Sequence, residues 1–199
     1  MKRLMTALAL ATLALPALAA APAMAADKFP DVRDTSTVDA AGARVLQESI
    51  ELNAPPKAVW DAFTDGPTVQ RWAATLAVIE LKQGGSMEES YSKGAKPGDP
   101  ENIRHEIIAY IPGQVLVFHN TNAPSMLPGR ELYKHVVSIL HVQDLGGGRS
   151  RLTVSQTGYG AGGDLDKLYA FFREDNAELM EDLKTQLESP TGKLHMAGK

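Results

Sequence analysis

The apolar residues of this chain change period once, and the change comes late. Leu46, Ile50 and Leu52 alternate with polar neighbours, the pattern of a strand with one buried face. Strand-like runs follow at residues 75–81, 87–91, 103–111, 115–119, 132–142 and 151–157, divided by segments rich in Gly and Pro such as Gly84-Gly85, Pro112-Gly113 and Gly146-Gly147-Gly148. From residue 165 the spacing becomes helical. Leu165, Leu168, Phe172, Leu179, Leu183 and Leu187 fall on one face of a helix of about 24 residues, with Asp164 placed to cap it and Ser189-Pro190 to end it. Strands joined by short turns pair antiparallel, because parallel pairing needs long crossovers. Such a sheet twists and curls, and one long amphipathic helix must bury its stripe against it. Two short helices come before most of the sheet. Pro56 suits a first helical turn ahead of Val59, Trp60 and Phe63; Asp65-Gly66-Pro67 stops that helix, and a second holds Val69 and Trp72. The fold class is therefore α+β: a curved antiparallel sheet of about seven strands around a long C-terminal helix, with two short helices after the first strand.

The N-terminal residues read as a targeting segment. Lys2 and Arg3 precede the apolar run 4–18, and Ala23-Met24-Ala25 supplies a small-x-small cleavage pattern, so residues 1–25 are expected to be a signal peptide cut before Ala26. An uncleaved anchor is the competing reading, which Pro16 interrupts. No second apolar run follows, so no integral span is expected after cleavage and the location is periplasmic or secreted. Residues 26–43 are polar, Ala-rich and aperiodic, a linker or loose arm; 44–188 form the domain; 189–199 read as a flexible tail. The chain has no cysteine, which excludes disulfides, thiolate metal sites and thiol nucleophiles. Removing residues 1–25 takes away two cations and no acid, leaving 18 Lys and Arg against 24 Asp and Glu. Scattered cations in an acidic chain make nucleic acid a poor partner.

Closing Pro112-Gly113 as a two-residue turn sets Ile111 opposite Gln114 and Glu106 opposite His119. Ile103, His105, Ile107, Ala109, Ile111, Leu116 and Phe118 then share one face, apolar apart from His105, while Arg104, Glu106, Tyr110 and His119 share the other. A one-residue slip would exchange these faces. An imidazole on the inner face is either a cavity group able to work as acid or base, or a core histidine satisfied by a neighbour. Glu48 has the parity of Leu46 and Ile50. It is either a cavity carboxyl raised by desolvation or a rim group that reaches water. Gln156 points inward with Leu152 and Val154, where structural amide bonding is the simpler role, and Tyr91 is a further cavity candidate. Tyr133, His135, Ser138 and His141 lie in a run that is apolar on both faces and has no readable orientation. His135 and His141 are six residues apart, about 20 Å along a strand, too far to share an ion, and no metal is expected. Residues 158–163 lack the Lys-Ser/Thr ending of a phosphate loop, and Asp164 and Asp166 would repel phosphate. That stretch is either a hinge beside the long helix or a simple connector.

The segment Ala54-Pro55-Pro56-Lys57-Ala58-Val59-Trp60-Asp61-Ala62-Phe63-Thr64-Asp65 resembles the opening signature of the SRPBCC, or START-like, superfamily of helix-grip (Bet v 1-like) domains. Trp72, Gly84-Gly85 and Leu183-Lys184 are similar to its branch named for the activator of the heat-shock-90 ATPase. The resemblance covers residues 44–188. Where many relatives carry a Gly-Trp pair at the start of the last helix, this chain has Tyr169, Phe171 and Phe172. The superfamily includes lipid carriers, polyketide cyclases, hormone receptors and co-chaperones, so the resemblance implies a fold more sharply than an activity. An exported chain would not meet a cytosolic chaperone. Fold and resemblance together imply a cavity for a small apolar or amphipathic molecule, without a cofactor. Its expected lining is Glu48, Tyr91, His105, Ile107, Phe118 and Gln156 from the sheet, with Leu168 and Phe172 from the helix. Two other functions compete with binding. One is a cyclase or dehydratase using His105 and Glu48 as acid and base, which requires both in one cavity. The other is a module that works through an exposed apolar surface.

Overall fold

The computed structural model describes residues 28–189. The expected signal peptide and nearly all of the expected tail lie outside them. Among the described residues no helix is long and apolar enough to cross a membrane.

One curved antiparallel sheet dominates the molecule. Its strands are β1 (Arg33–Asp34), β2 (Thr37–Val38), β3 (Arg44–Leu52), β4 (Leu76–Ile79), β5 (Ser86–Ser90), β6 (Ile103–Ile111), β7 (Val115–Asn122), β8 (Val137–Gly146) and β9 (Arg149–Tyr159). The order across the sheet is β1-β3-β9-β8-β7-β6-β5-β4, and β2 also pairs with β3. The helices are α1 (Pro56–Thr64), α2 (Gly66–Trp72), the single turn α3 (Arg130–Tyr133) and α4 (Gly163–Glu188). This is the α+β helix-grip architecture that the period change implies, with two short strands beyond the seven expected. Both extra strands come from the segment read as a loose arm. Two-residue strands are too short to show a period, yet β1 and β2 lie along β3, and Asp34 forms an ion pair with Arg173 of α4 at 2.7 Å.

Local chemistry accounts for the helix starts. Pro56 occupies the first turn of α1, and the Asp65 side chain accepts the Thr68 N–H at 3.0 Å to cap α2. In α4 the cap falls earlier than Asp164. The helix begins at Gly163, Gly162 donates its N–H to Asp166, and Asp164 and Asp166 lie in the first turn, where the helix dipole favours acids.

Two corrections concern the strands. The strand expected over 132–142 begins later: residues 130–133 form α3, and β8 starts only at Val137. A run with apolar residues on both faces has no clear period by which to tell helix from strand. In the β6–β7 hairpin Glu106 does face His119, but Ile111 faces Val115 and Tyr110 faces Leu116. A bulge between Ile107 and Ala109 adds one residue to β6, so the pattern reverses beyond it. Tyr110 packs on the core, whereas Ala109 and Ile111 are exposed.

α4 runs between two apolar clusters. Met180 and Leu183 pack with Val59, Trp60, Trp72 and Leu152. Leu168 and Phe172 pack with Leu46, Tyr133, Val136 and Tyr159. α1 and α2 fill the sheet's concave side near the helix C-terminus, and α3 closes over it near the N-terminus. The middle of the helix is left standing off a sheet that curves away from it.

Candidate functional site

That separation encloses a cavity of about 400 Å³, within the range of small-ligand sites. α4 contributes Phe172, Asp175, Asn176 and Leu179, residues at i, i+3, i+4 and i+7 on one helical face. The sheet contributes Met87, Glu89, His105, Phe118, Leu140 and Gln156. The 124–128 loop and Tyr133 of α3 form the rim. Three of the exposed large apolar side chains surround this opening: Tyr91 at 58%, Phe171 at 38% and Met126 at 86% exposure. They belong to the mouth of the cavity and do not form a separate surface patch.

Five of the eight residues expected to line the site do so: Tyr91, His105, Phe118, Gln156 and Phe172. Ile107 and Leu168 do not. Both are fully buried in the apolar clusters, where the curl of the sheet turns them into core. Glu48 does not line the cavity either. It is 2% exposed on β3, where its neighbours across the sheet are Asp34 and Val154. Its Oε2 has no hydrogen-bond partner, and burial pushes its carboxyl up to about 8, with the Asp34 charge adding and Arg173 opposing. The structure therefore does not bring Glu48 and His105 together in one cavity.

His105 is 7% exposed, and its Nδ1 has no hydrogen-bond partner. Burial, followed by the charge of His119, holds its imidazole down to about 4, so it is neutral at physiological pH. Its ring meets Phe118 edge-on with centroids 4.9 Å apart, and Tyr133 at 6.2 Å. Gln156 is a structural hub. Its Nε2 donates to Ser138 Oγ at 3.2 Å, and its Oε1 accepts from Tyr159 at 2.9 Å and from Asn176 at 3.4 Å. The network ties β8, β9 and α4 together along one wall.

Glu89 is the main polar group that sequence reasoning missed. It lines the cavity from β5, and burial pushes its carboxyl up to about 7. The signal was present, since Glu89 shares the parity of Met87 and Tyr91. Tyr133 and Ser138 had no readable orientation and prove to face the cavity. His135 and His141 are exposed. Of the glycine stretch at 158–163, residues 158 and 159 extend β9 and Gly163 opens α4; beside the short link between them the Arg44 guanidinium donates to the Gly160 carbonyl, pairs with Asp166 of α4 at 2.8 Å and stacks on Tyr169 of α4 at 4.5 Å.

A curved antiparallel sheet gripping one long helix around an apolar-lined cavity defines a helix-grip domain of the SRPBCC, Bet v 1-like class. The profile of the family described as polyketide cyclase / dehydrase and lipid transport matches residues 43–188, and the chain belongs to that family. Solved structures show the same fold. The Aha1 dimer of Colwellia psychrerythraea aligns at 15% identity with a TM-score of 0.57, over 75% of this chain and 98% of that one. CalU16 of Micromonospora echinospora aligns at 17% identity and 0.55, over 81% and 88%. SSP2350 of Staphylococcus saprophyticus aligns at 13% identity and 0.57, over 77% and 97%. No curated protein matches the sequence.

Proposed function

We propose that this protein binds and carries a small apolar or amphipathic molecule in the cavity between sheet and α4. The observation that carries the reading is the cavity itself: about 400 Å³, walled largely by apolar side chains, with a buried imidazole nitrogen left unpartnered in its lining. Apolar burial supplies affinity, and a few polar groups set orientation. The open, apolar mouth formed by Tyr91, Met126 and Phe171 gives such a molecule a path inward. The family's description, which names both polyketide cyclases and lipid transport, supports a ligand of this kind. Carriage is favoured over acid–base turnover because the His105–Glu48 pair that turnover was expected to need is not assembled in the cavity. Export is part of the proposal: the segment 1–25 directs the chain out of the cytoplasm, and the working protein begins at Ala26.

Native mass spectra of the gently purified protein, before and after organic extraction, test the reading. The expected result is a discrete extra mass that leaves on extraction, on a chain that begins at Ala26. A bare mass in both spectra, with no binding in a screen of amphipathic molecules, would remove the carrier function. A chain that retains residues 1–25 would remove export alone.

A further inference from the structure

The carboxyl groups in the cavity's lining, Glu89 on β5 and Asp175 on α4, meet no Lys or Arg within that lining among the described residues. Its one imidazole, His105, is neutral. Both acids act on the same two phenols. The hydroxyl of buried Tyr133 is held above the ordinary range, by burial first and then by Glu89 and Asp175, and the same two acids act on Tyr91 at the mouth. Sheet acid, helix acid and phenols therefore share one neighbourhood. Aromatic rings stand beside them: Tyr133 and Phe172 have centroids 4.6 Å apart, and Phe171 meets Phe172 edge-on at 5.2 Å. The unpartnered, buried Nδ1 of His105 belongs to the same lining, its ring 6.2 Å from that of Tyr133.

A ligand carboxylate would enter beside two acids with no Lys or Arg among the described lining residues to receive it, which is costly away from water. An ammonium gains a charge-assisted contact with carboxylates and the faces of aromatic rings together. We infer that the cavity receives an amphipathic amine, with its apolar body along Met87, Leu116 and Phe118 and its ammonium beside Glu89, Asp175 and the rings of Tyr133 and Phe172. His105 Nδ1 is then available to a second polar group on the same molecule. This inference rests on the carrier reading. The titratable groups that line the cavity with Glu89 are Tyr91 just past the end of β5, His105 on β6, Tyr133 on α3 and Asp175 on α4. Because burial lifts Glu89 to about 7, amine affinity is expected to rise between about pH 6 and about pH 8, as that carboxyl ionises while an alkylamine stays charged.

Isothermal titration of the extracted full chain with decylamine, decanol and decanoate, each below its micelle concentration, tests this. Decylamine is expected to bind ~10-fold or more tighter than decanol, with decanoate weakest. In Glu89→Gln the amine-to-alcohol ratio is expected to fall toward one and to lose its pH dependence; each ratio is measured within one variant, so a general loss of stability cannot mimic the effect. Decanoate binding as well as the amine, or an amine-to-alcohol ratio near one in the unsubstituted chain, overturns the amine inference and leaves the carrier reading intact. An unchanged ratio in Glu89→Gln overturns the role given to that carboxyl. Binding of none of the three overturns both.

Discussion

At the scale of single residues, buried Glu48 and His105 and half-buried Glu89 set how this protein responds to pH. Glu48 is raised to about 8 and Glu89 to about 7, so the folded state holds both protons more tightly than the unfolded chain does. Their contribution to stability is full below the ordinary carboxylate value of 4.5 and is lost as the pH rises through 7 to 8. His105 runs the other way. Held down to about 4 from 6.5, it contributes fully above 6.5 and loses that contribution as the pH falls through about 4. Two carboxyls losing stability outweigh one histidine gaining it above the carboxylate value, so these three groups place the highest thermal midpoint at about pH 4.5, with a fall toward about pH 8. Glu48→Gln is expected to raise the midpoint by ~3–8 °C at about pH 8.5 and to change it little at about pH 5, because only the ionised carboxyl is costly in that site. Scanning calorimetry at the two pH values checks this, and equal shifts at both would refute it. The parity that marked Glu48 as inward was right about burial. It was silent on whether the inward space is cavity or packed helix, which depends on how far α4 stands from each strand.

At the scale of elements, α4 holds the two clusters together, and its inner face is sharply graded. Met180 and Leu183 are fully buried at its C-terminal half, so Met180→Ala or Leu183→Ala is expected to cost ~2–5 kcal/mol in chemical denaturation. Leu179, one residue before Met180, lines the cavity and has less packing to lose. A loss for Leu179→Ala as large as that for Met180→Ala would contradict the graded face. β9 reaches past β8 through Gly158, which has φ +99°, and a Cβ there would lie 2.2 Å from the His135 carbonyl oxygen. Backbone on one side and a left-handed φ on the other leave no room to adjust, so Gly158→Ala is expected to cost at least ~2 kcal/mol. The arm is a different case. Its tie to α4 through Asp34 and Arg173 is partly exposed, and Asp34→Ala is expected to change global stability by less than ~1 kcal/mol. Limited proteolysis should show faster cutting between residues 28 and 43 in that variant, and no change would mean that the strand pairs with the Lys28–Glu174 and Asp31–Glu181 contacts suffice to hold the arm. Strand identities were largely legible because alternation survives wherever one face is buried. The start of β8 was not, since that stretch of sequence carries apolar residues on both faces and α3 interrupts it. The bulge in β6 was not either, because one inserted residue leaves no mark on composition.

At the scale of the whole molecule, a loaded cavity and a stripped one should differ measurably in stability. A molecule that binds only the folded state adds about 2.7 kcal/mol at a hundredfold excess over its dissociation constant, so organic extraction is expected to lower the thermal midpoint by ~5–10 °C and re-addition to restore it. A midpoint unmoved by extraction of a ligand seen in the native spectrum would place that ligand outside the folded core. The sequence by itself determined the architecture: one change of hydrophobic period, tight turns and a single long amphipathic stripe admit little besides a curled antiparallel sheet around a helix. It also placed His105, Phe118 and Gln156 on the inner face, because parity is a local property. Only the tertiary structure decided which inner-face residues meet empty space. Ile107 and Glu48 have the same inward parity as His105, and Leu168 shares the inner stripe of α4 with Phe172, yet the sheet curves away from α4 near His105 and Glu89 and stays close to it near Glu48. The distance between a curved sheet and a straight helix is set by how α1, α2 and α3 wedge the two ends apart, and no pattern within a single strand records it.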